Sequence, residues 1–160
     1  MFKRLKGVKS VVSGYAGGDV ENPTTDQVYS GKTGHAEAIE ISFDPKIISY
    51  EKLLEIFFKL HDPTTVNRQG HDVGTQYRSM IFYHNNEQRR VAEESKKTIA
   101  QSGMYKDAVV TQIVPFKNFY KAEDYHQNYY ERNSSAPYCQ IVIDPKIQKL
   151  TTEFKENVKI

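Results

Sequence analysis

The chain has 160 residues, enough for one domain with a sizeable core, and its 22 basic and 20 acidic side chains leave a formal net charge of +2. That near-balance excludes charge as a reason for obligate binding to nucleic acid or an anionic membrane. No apolar run reaches bilayer length, the opening MFKRLKGVKS lacks the apolar core of a signal peptide, and Cys139 is the only cysteine, which together predict a cytoplasmic chain without an internal disulfide.

Residues 1–6 read as the last turn of a helix, basic toward its end and stopped by Gly7. One turn is not stable alone in water, so it must dock elsewhere or end a longer helix. Residues 8–15 alternate well enough for a strand and finish in the turn Ala16-Gly17-Gly18-Asp19. In the polar stretch 21–34, Thr24 and Gln27 stand in capping-box relation and predict a short helical turn over residues 25–30. The segment HAEAIEISF, residues 35–43, places Ile39, Ile41 and Phe43 on one strand face, and the same parity brings His35 and Glu37 onto it. A carboxylate is thus predicted among apolar side chains.

Asp44-Pro45 breaks that strand, and Ser49 is placed to cap a helix that buries Leu53, Ile56, Phe57 and Leu60. Residues 63–76 then form a long polar connection, pinned by the helix stop at Asp62-Pro63 and by a strand over residues 77–84. Connections of this length in compact domains are functional or disordered, and pinned ends favour function. The strand is apolar on both faces and should be interior. Asn85 with Gln88 opens a charged surface helix to about residue 101. Residues 108–114 read as a strand, 115–121 as loop, 122–132 as helix and 138–143 as a short strand; Asp144-Pro145 starts a final helix, amphipathic through Ile147, Leu150, Phe154 and Val158. The order describes one α+β domain over residues 1–160, a two-layer ferredoxin-like sandwich with a mixed, mainly antiparallel sheet and its first strand missing.

Five groups of residues bear on chemistry. Glu37, on an apolar face, would lose hydration when ionised and hold a proton near neutrality, unless it is paired with His35 or an arginine for structural reasons. Asp72 and Tyr77 belong to GHDVGTQYRS, where Gly70 and Gly74 permit turns that present both side chains inward; an Asx turn and a core tyrosine are the bland alternative. The pairs His61-Asp62 and His71-Asp72, with His35, His84 and His126 in support, raise a metal-dependent hydrolase, although no helical or compact zinc spacing is present. Glu37 with Asp72 is also conceivable as the acid/base pair of a hydrolase. Tyr125, Tyr129, Tyr130 and His126 are candidates to line a site, and Cys139 is more often an inert buried thiol than a nucleophile in such a setting.

The segments SGYAGG, NPTTDQVYSGKTGHAEAIEI, HDPTTVNRQGHDVGTQYRS, IFY and AEDYHQNYY, in this order, resemble peptide methionine sulfoxide reductase of the A type along essentially the whole chain. The resemblance implies reduction of methionine S-sulfoxide, free or in proteins, with Glu37 as proton donor, Tyr77 as a second hydrogen-bond donor to the oxygen and Asp72 organising the pocket. It further implies a monomer without a bound cofactor, recycled by thioredoxin or another external thiol. Two departures stand out. The family's nucleophilic cysteine lies in a Gly-Cys-Phe-Trp-Gly motif that aligns ahead of Met1, which leaves an inactive sulfoxide-binding relative as an alternative. Thr25 stands where the family usually has a tyrosine, with Tyr29, one helical turn on, as a candidate substitute. Cys139 corresponds approximately to a recycling thiol of some members.

Overall fold

A computed structural model describes all of residues 1–160. β1 (Val8–Ala16) is the centre of a three-stranded antiparallel sheet in the order β2-β1-β7, with β2 spanning Ala36–Phe43 and β7 spanning Phe119–Lys121. Its register sets Tyr15 opposite Glu37 and Val11 opposite Ile41. A second, parallel pair joins β5 (Met80–Tyr83) to β6 (Gln112–Pro115), and β3 (Arg68–Gln69) with β4 (Asp72–Val73) makes a small hairpin in the polar connection. The result is the α+β arrangement with a mixed, mainly antiparallel set of strands.

The helices follow their local signals. α1 (Thr25–Tyr29) starts in a complete capping box between Thr24 and Gln27. α2 (Tyr50–Leu60) is capped by Ser49, whose hydroxyl accepts from the Lys52 amide. α3 (Asn86–Gln101) is capped by Asn85 and buries only Ala92 and Ile99. α2 straddles both sheets. Its Leu53, Ile56 and Leu60 enter a core with Leu5, Val8 and Leu150, while Leu54 and Phe58 pack with Ile81, Ala92 and Ile99. Residues 1–6 dock into the first core: Phe2–Arg4 is a 3-10 turn, Leu5 is fully buried and bridges to Val158, and Gly7 takes φ +88° at the stop.

Four expectations are corrected. The segment 138–143 is helical: a π-helical turn at Cys139–Ile143 runs into α5 (Asp144–Glu153), the wider turn accommodating Pro145, which has no N–H to give. The expected helix over 122–132 is a 3-10 turn, Asp124–His126, followed by the single turn α4 (Tyr129–Arg132). Between them Asn128 is left-handed and Gln127 leaves the helical path to bond both backbone groups of Ser13, at 2.9 and 2.8 Å, like a strand partner. The expected loop 115–121 contributes β7. Gly14 makes that pairing possible, since a Cβ there would lie 2.4 Å from the Phe119 ring and 2.5 Å from the Tyr120 carbonyl. Finally, the strand expected over 77–84 begins only at Met80, and Tyr77 closes a 3-10 turn.

Candidate active site

β2 and β5 do not pair with each other, and an open cavity of about 540 Å³ lies between the two sheets above α2. Glu37, Asp72, Tyr77 and Tyr138 all line it, with Ile39, Leu54 and Phe57 among its apolar walls. β2 positions Glu37. The backbone is held by β1 along one edge, and the side chain is left on the cavity. Solvent reaches this carboxyl, yet the surrounding protein removes much of its hydration, and with the Asp72 charge as a smaller contribution its pKa rises to about 7. His35, considered as its partner, is instead buried with Nδ1 accepting from the Gly18 amide and Nε2 on the Val20 carbonyl.

Asp72 arrives from the polar connection. Its residue pairs with Gln69 across the β3–β4 hairpin, whose tip has Gly70 at φ +59°. The Gln69 carboxamide bonds both backbone groups of Asp62, at 3.0 and 3.1 Å, and so fastens the hairpin to the end of α2. Tyr77 is placed by the turn that starts at Gly74, with φ +150°. Arg78 locks this turn onto the segment before β2 by donating to the Thr75 and Gly34 carbonyls, 2.8 Å each. Burial and then the Glu37 and Asp72 charges raise the Tyr77 pKa, which keeps the phenol a donor.

Two features were not visible in the sequence. Tyr138, delivered by the helical C-terminal segment, donates to Asp72 Oδ2 at 3.4 Å, and burial ahead of the Asp72 charge pushes its pKa to about 12. Thr25 is a buried hub: its hydroxyl lies 2.6 Å from Glu123 Oε2, 2.9 Å from His126 Nε2, 2.9 Å from the Tyr125 hydroxyl and 3.0 Å from the Tyr15 hydroxyl. The Thr25 hydrogen bond is the main cause that holds Glu123 at a pKa of about 2. Of the suggested aromatic lining, His126 reaches the cavity, whereas Tyr130 bonds Asp144 and Tyr129 stacks edge-on against Tyr138.

The histidines do not gather. His61 lies with Nδ1 on the Phe57 carbonyl and Nε2 2.7 Å from Ser79 Oγ, and burial lowers its pKa to about 4. His84 stacks on Phe116, and no group of three or more His, Cys, Asp or Glu side chains is close enough to hold a metal ion. Cys139 is fully buried, its thiol pKa raised by burial first.

The cavity therefore combines a carboxyl that retains its proton near neutrality, phenolic donors beside it and apolar walls, which suits protonating an oxygen on a largely apolar substrate. The family model for peptide methionine sulfoxide reductase matches residues 1–158. The chain belongs to that family. It is 53% identical to the peptide methionine sulfoxide reductase MsrA of Sulfolobus acidocaldarius over all 160 residues, covering 90% of that relative. The MsrA of Saccharolobus solfataricus is 54% identical over the same 160 residues, with 89% of it covered. Among solved structures, reduced Mxr1 from Saccharomyces cerevisiae is similar at TM-score 0.78 and 35% identity, over 83% of this chain and 76% of that one. The methionine sulfoxide reductase A of Corynebacterium diphtheriae follows at 0.69 and 34%, over 80% and 65%. Membership makes the chain an oxidoreductase of methionine sulfoxide reduction and disfavours the metal-dependent hydrolase. No helix is long and apolar enough to cross a membrane.

Proposed function

We propose that residues 1–160 form one domain and that its cavity is the oxygen-side half of the reductase site, with Glu37 as the acid. A thiolate attacks the sulfoxide sulfur to form a transient S–S bond while Glu37 protonates the oxygen and Tyr77 hydrogen-bonds it; the hydroxyl then passes to the thiol sulfur as the S–O bond of the substrate and the S–S bond break, leaving methionine and a sulfenic acid. Two equivalents of an external thiol, of the thioredoxin kind in cells, then return the sulfenic acid to thiol with release of water and a disulfide. Asp72 keeps the proton on Glu37 by its charge and is itself held by Tyr138. The observation that carries this reading is the elevated pKa of Glu37, about 7, in a cavity shared with Asp72 and Tyr77.

No cysteine lines the cavity, and Cys139 is buried, so the attacking thiolate comes from elsewhere: from a Gly-Cys-Phe-Trp-Gly segment joined ahead of Met1, or from a thiol in solution. Turnover of a methionine sulfoxide peptide with dithiothreitol, measured for this chain and for one extended ahead of Met1 by that motif, decides between them. In whichever form turns over, Glu37→Gln should lower kcat about a hundredfold or more, the scale of one lost general acid. Unchanged kcat would sink the role of Glu37.

A further inference from the structure

Tyr15 is paired directly with Glu37 across β1 and β2, so the two side chains share one face of the sheet with Cβ atoms about 5 Å apart. Both line the cavity. Tyr15 is buried, its ring packed with Val28 of α1 and with Ala122. A phenol so placed is well situated to donate to the neighbouring carboxylate. Its hydroxyl instead lies 3.0 Å from Thr25 Oγ1, and no side chain of the chain donates to Glu37.

The protons around Thr25 fix the direction of that bond. Its single hydroxyl proton goes to Glu123 Oε2 at 2.6 Å, a carboxylate that only accepts. Glu123 also receives the Thr25 amide at 3.2 Å and the Tyr125 hydroxyl at 3.3 Å, which hold it in place. With its own proton committed, Thr25 Oγ1 can only accept from Tyr15, and Tyr15 is the donor. Tyr125 and His126 Nε2 share the remaining lone pair at 2.9 Å each, and Tyr125 has Glu123 as a second acceptor, whereas the buried Tyr15 has none besides Thr25. Resting on the reading of Glu37 as the acid, we infer that Thr25 is its positioning residue: by holding the Tyr15 proton, Thr25 denies Glu37 the hydrogen bond that would stabilise its carboxylate. A carboxyl stripped of water and given no donor in exchange keeps its proton. Asp72 from the hairpin, Tyr77 and Arg78 from the turn before β5, His61 at the end of α2, and His126 and Tyr138 from the C-terminal third line the same cavity, and none of them is altered in the variants below.

The test is the titration of the Glu37 carboxyl carbon by NMR in the unmutated chain, Thr25→Val, Thr25→Ser, Tyr15→Phe and the double variant Thr25→Val/Tyr15→Phe. Thr25→Val releases the phenol proton and should lower the midpoint from about 7 by about one pH unit, the scale of one hydrogen bond to a charged group. Thr25→Ser keeps the acceptor and should leave the midpoint where it is. The double variant, which has no proton to release, should return to the parent value. A midpoint unchanged in Thr25→Val, or a fall that persists with phenylalanine at position 15, would overturn the inference and leave Glu37 standing as the acid. Tyr15→Phe removes a single oxygen and decides the matter even where Thr25→Val does not fold: the midpoint should stay put, and a rise would mean that Tyr15 had been donating to Glu37 all along. A parent midpoint near the ordinary 4.5 would overturn this inference and the reading of Glu37 together.

Discussion

In the proposed mechanism Glu37 couples the chemistry to the stability of the fold, and the coupling can be measured without any turnover. Its pKa rises from an ordinary 4.5 to about 7 on folding. Between those values the folded chain binds more protons than the unfolded one, so Glu37 makes stability fall as pH rises across this window and level off above it. The full shift corresponds to about 3.4 kcal/mol at about 1.36 kcal/mol per tenfold change in proton affinity. Solvent reaches the carboxyl, and screening reduces this to about 1–2 kcal/mol. Glutamine imitates the protonated acid and does not titrate. Glu37→Gln should therefore match the parent chain below pH 4.5 and be about 1–2 kcal/mol more stable by pH 8, or about 2–8 °C in Tm for a chain of this size. Urea or thermal unfolding of both proteins at pH 4.5, 6 and 8 reads the difference, in which the other titrating groups cancel. A difference that stays constant with pH would refute the elevated pKa, and with it the physical basis for Glu37 as an acid.

Asp72→Asn removes the smaller of the two causes acting on Glu37. The Glu37 carboxyl carbon, followed by NMR, should then titrate below its parent midpoint while remaining above 4.5. Thr25→Val removes the hub hydroxyl, taking from the buried Tyr15 its hydrogen bond and leaving Glu123 with only the residue-25 amide and the Tyr125 hydroxyl, which should cost about 1–3 kcal/mol in urea unfolding and raise the Glu123 pKa from about 2. Cys139, buried with a raised pKa, should react with an aromatic disulfide reagent far more slowly than a free thiol and at the full rate in denaturant. Labelling at the free-thiol rate without denaturant would show that the C-terminal segment opens readily.

What could be read from the sequence was whatever a short window determines. The Thr24–Gln27 box, the Ser49 and Asn85 caps and the two-residue period of β2 are local, and each element formed where it was expected. Glu37 fell on the predicted face because strand parity fixes it. The run Cys139–Ile143 has no comparable determinant: four apolar side chains around Gln140 serve a strand or a helix turn equally, and tertiary placement decided. Tyr138 was missed for that reason, since only the helical path carries it back to Asp72, 66 residues away in sequence. Thr25 looked like a bare departure from the family because its partners, Glu123, Tyr125 and His126, lie about a hundred residues on. Gln127 acts as a surrogate strand partner through its side chain, a role no backbone propensity encodes.

The convergence of distant segments on one carboxyl also bears on when the acid is ready. β2 supplies Glu37, the hairpin supplies Asp72 and the C-terminal helical segment supplies the Tyr138 that holds it. In the open cavity water still reaches the carboxyl, which limits the rise in its proton affinity. On the proposed reading, a methionine sulfoxide side chain entering between the sheets displaces that water while leaving the Asp72 charge in place. Both effects favour the protonated form, so substrate binding itself loads the acid before the thiolate attacks. The site then needs no stronger structural perturbation of Glu37 than the one seen, because the remaining desolvation arrives with the molecule to be protonated.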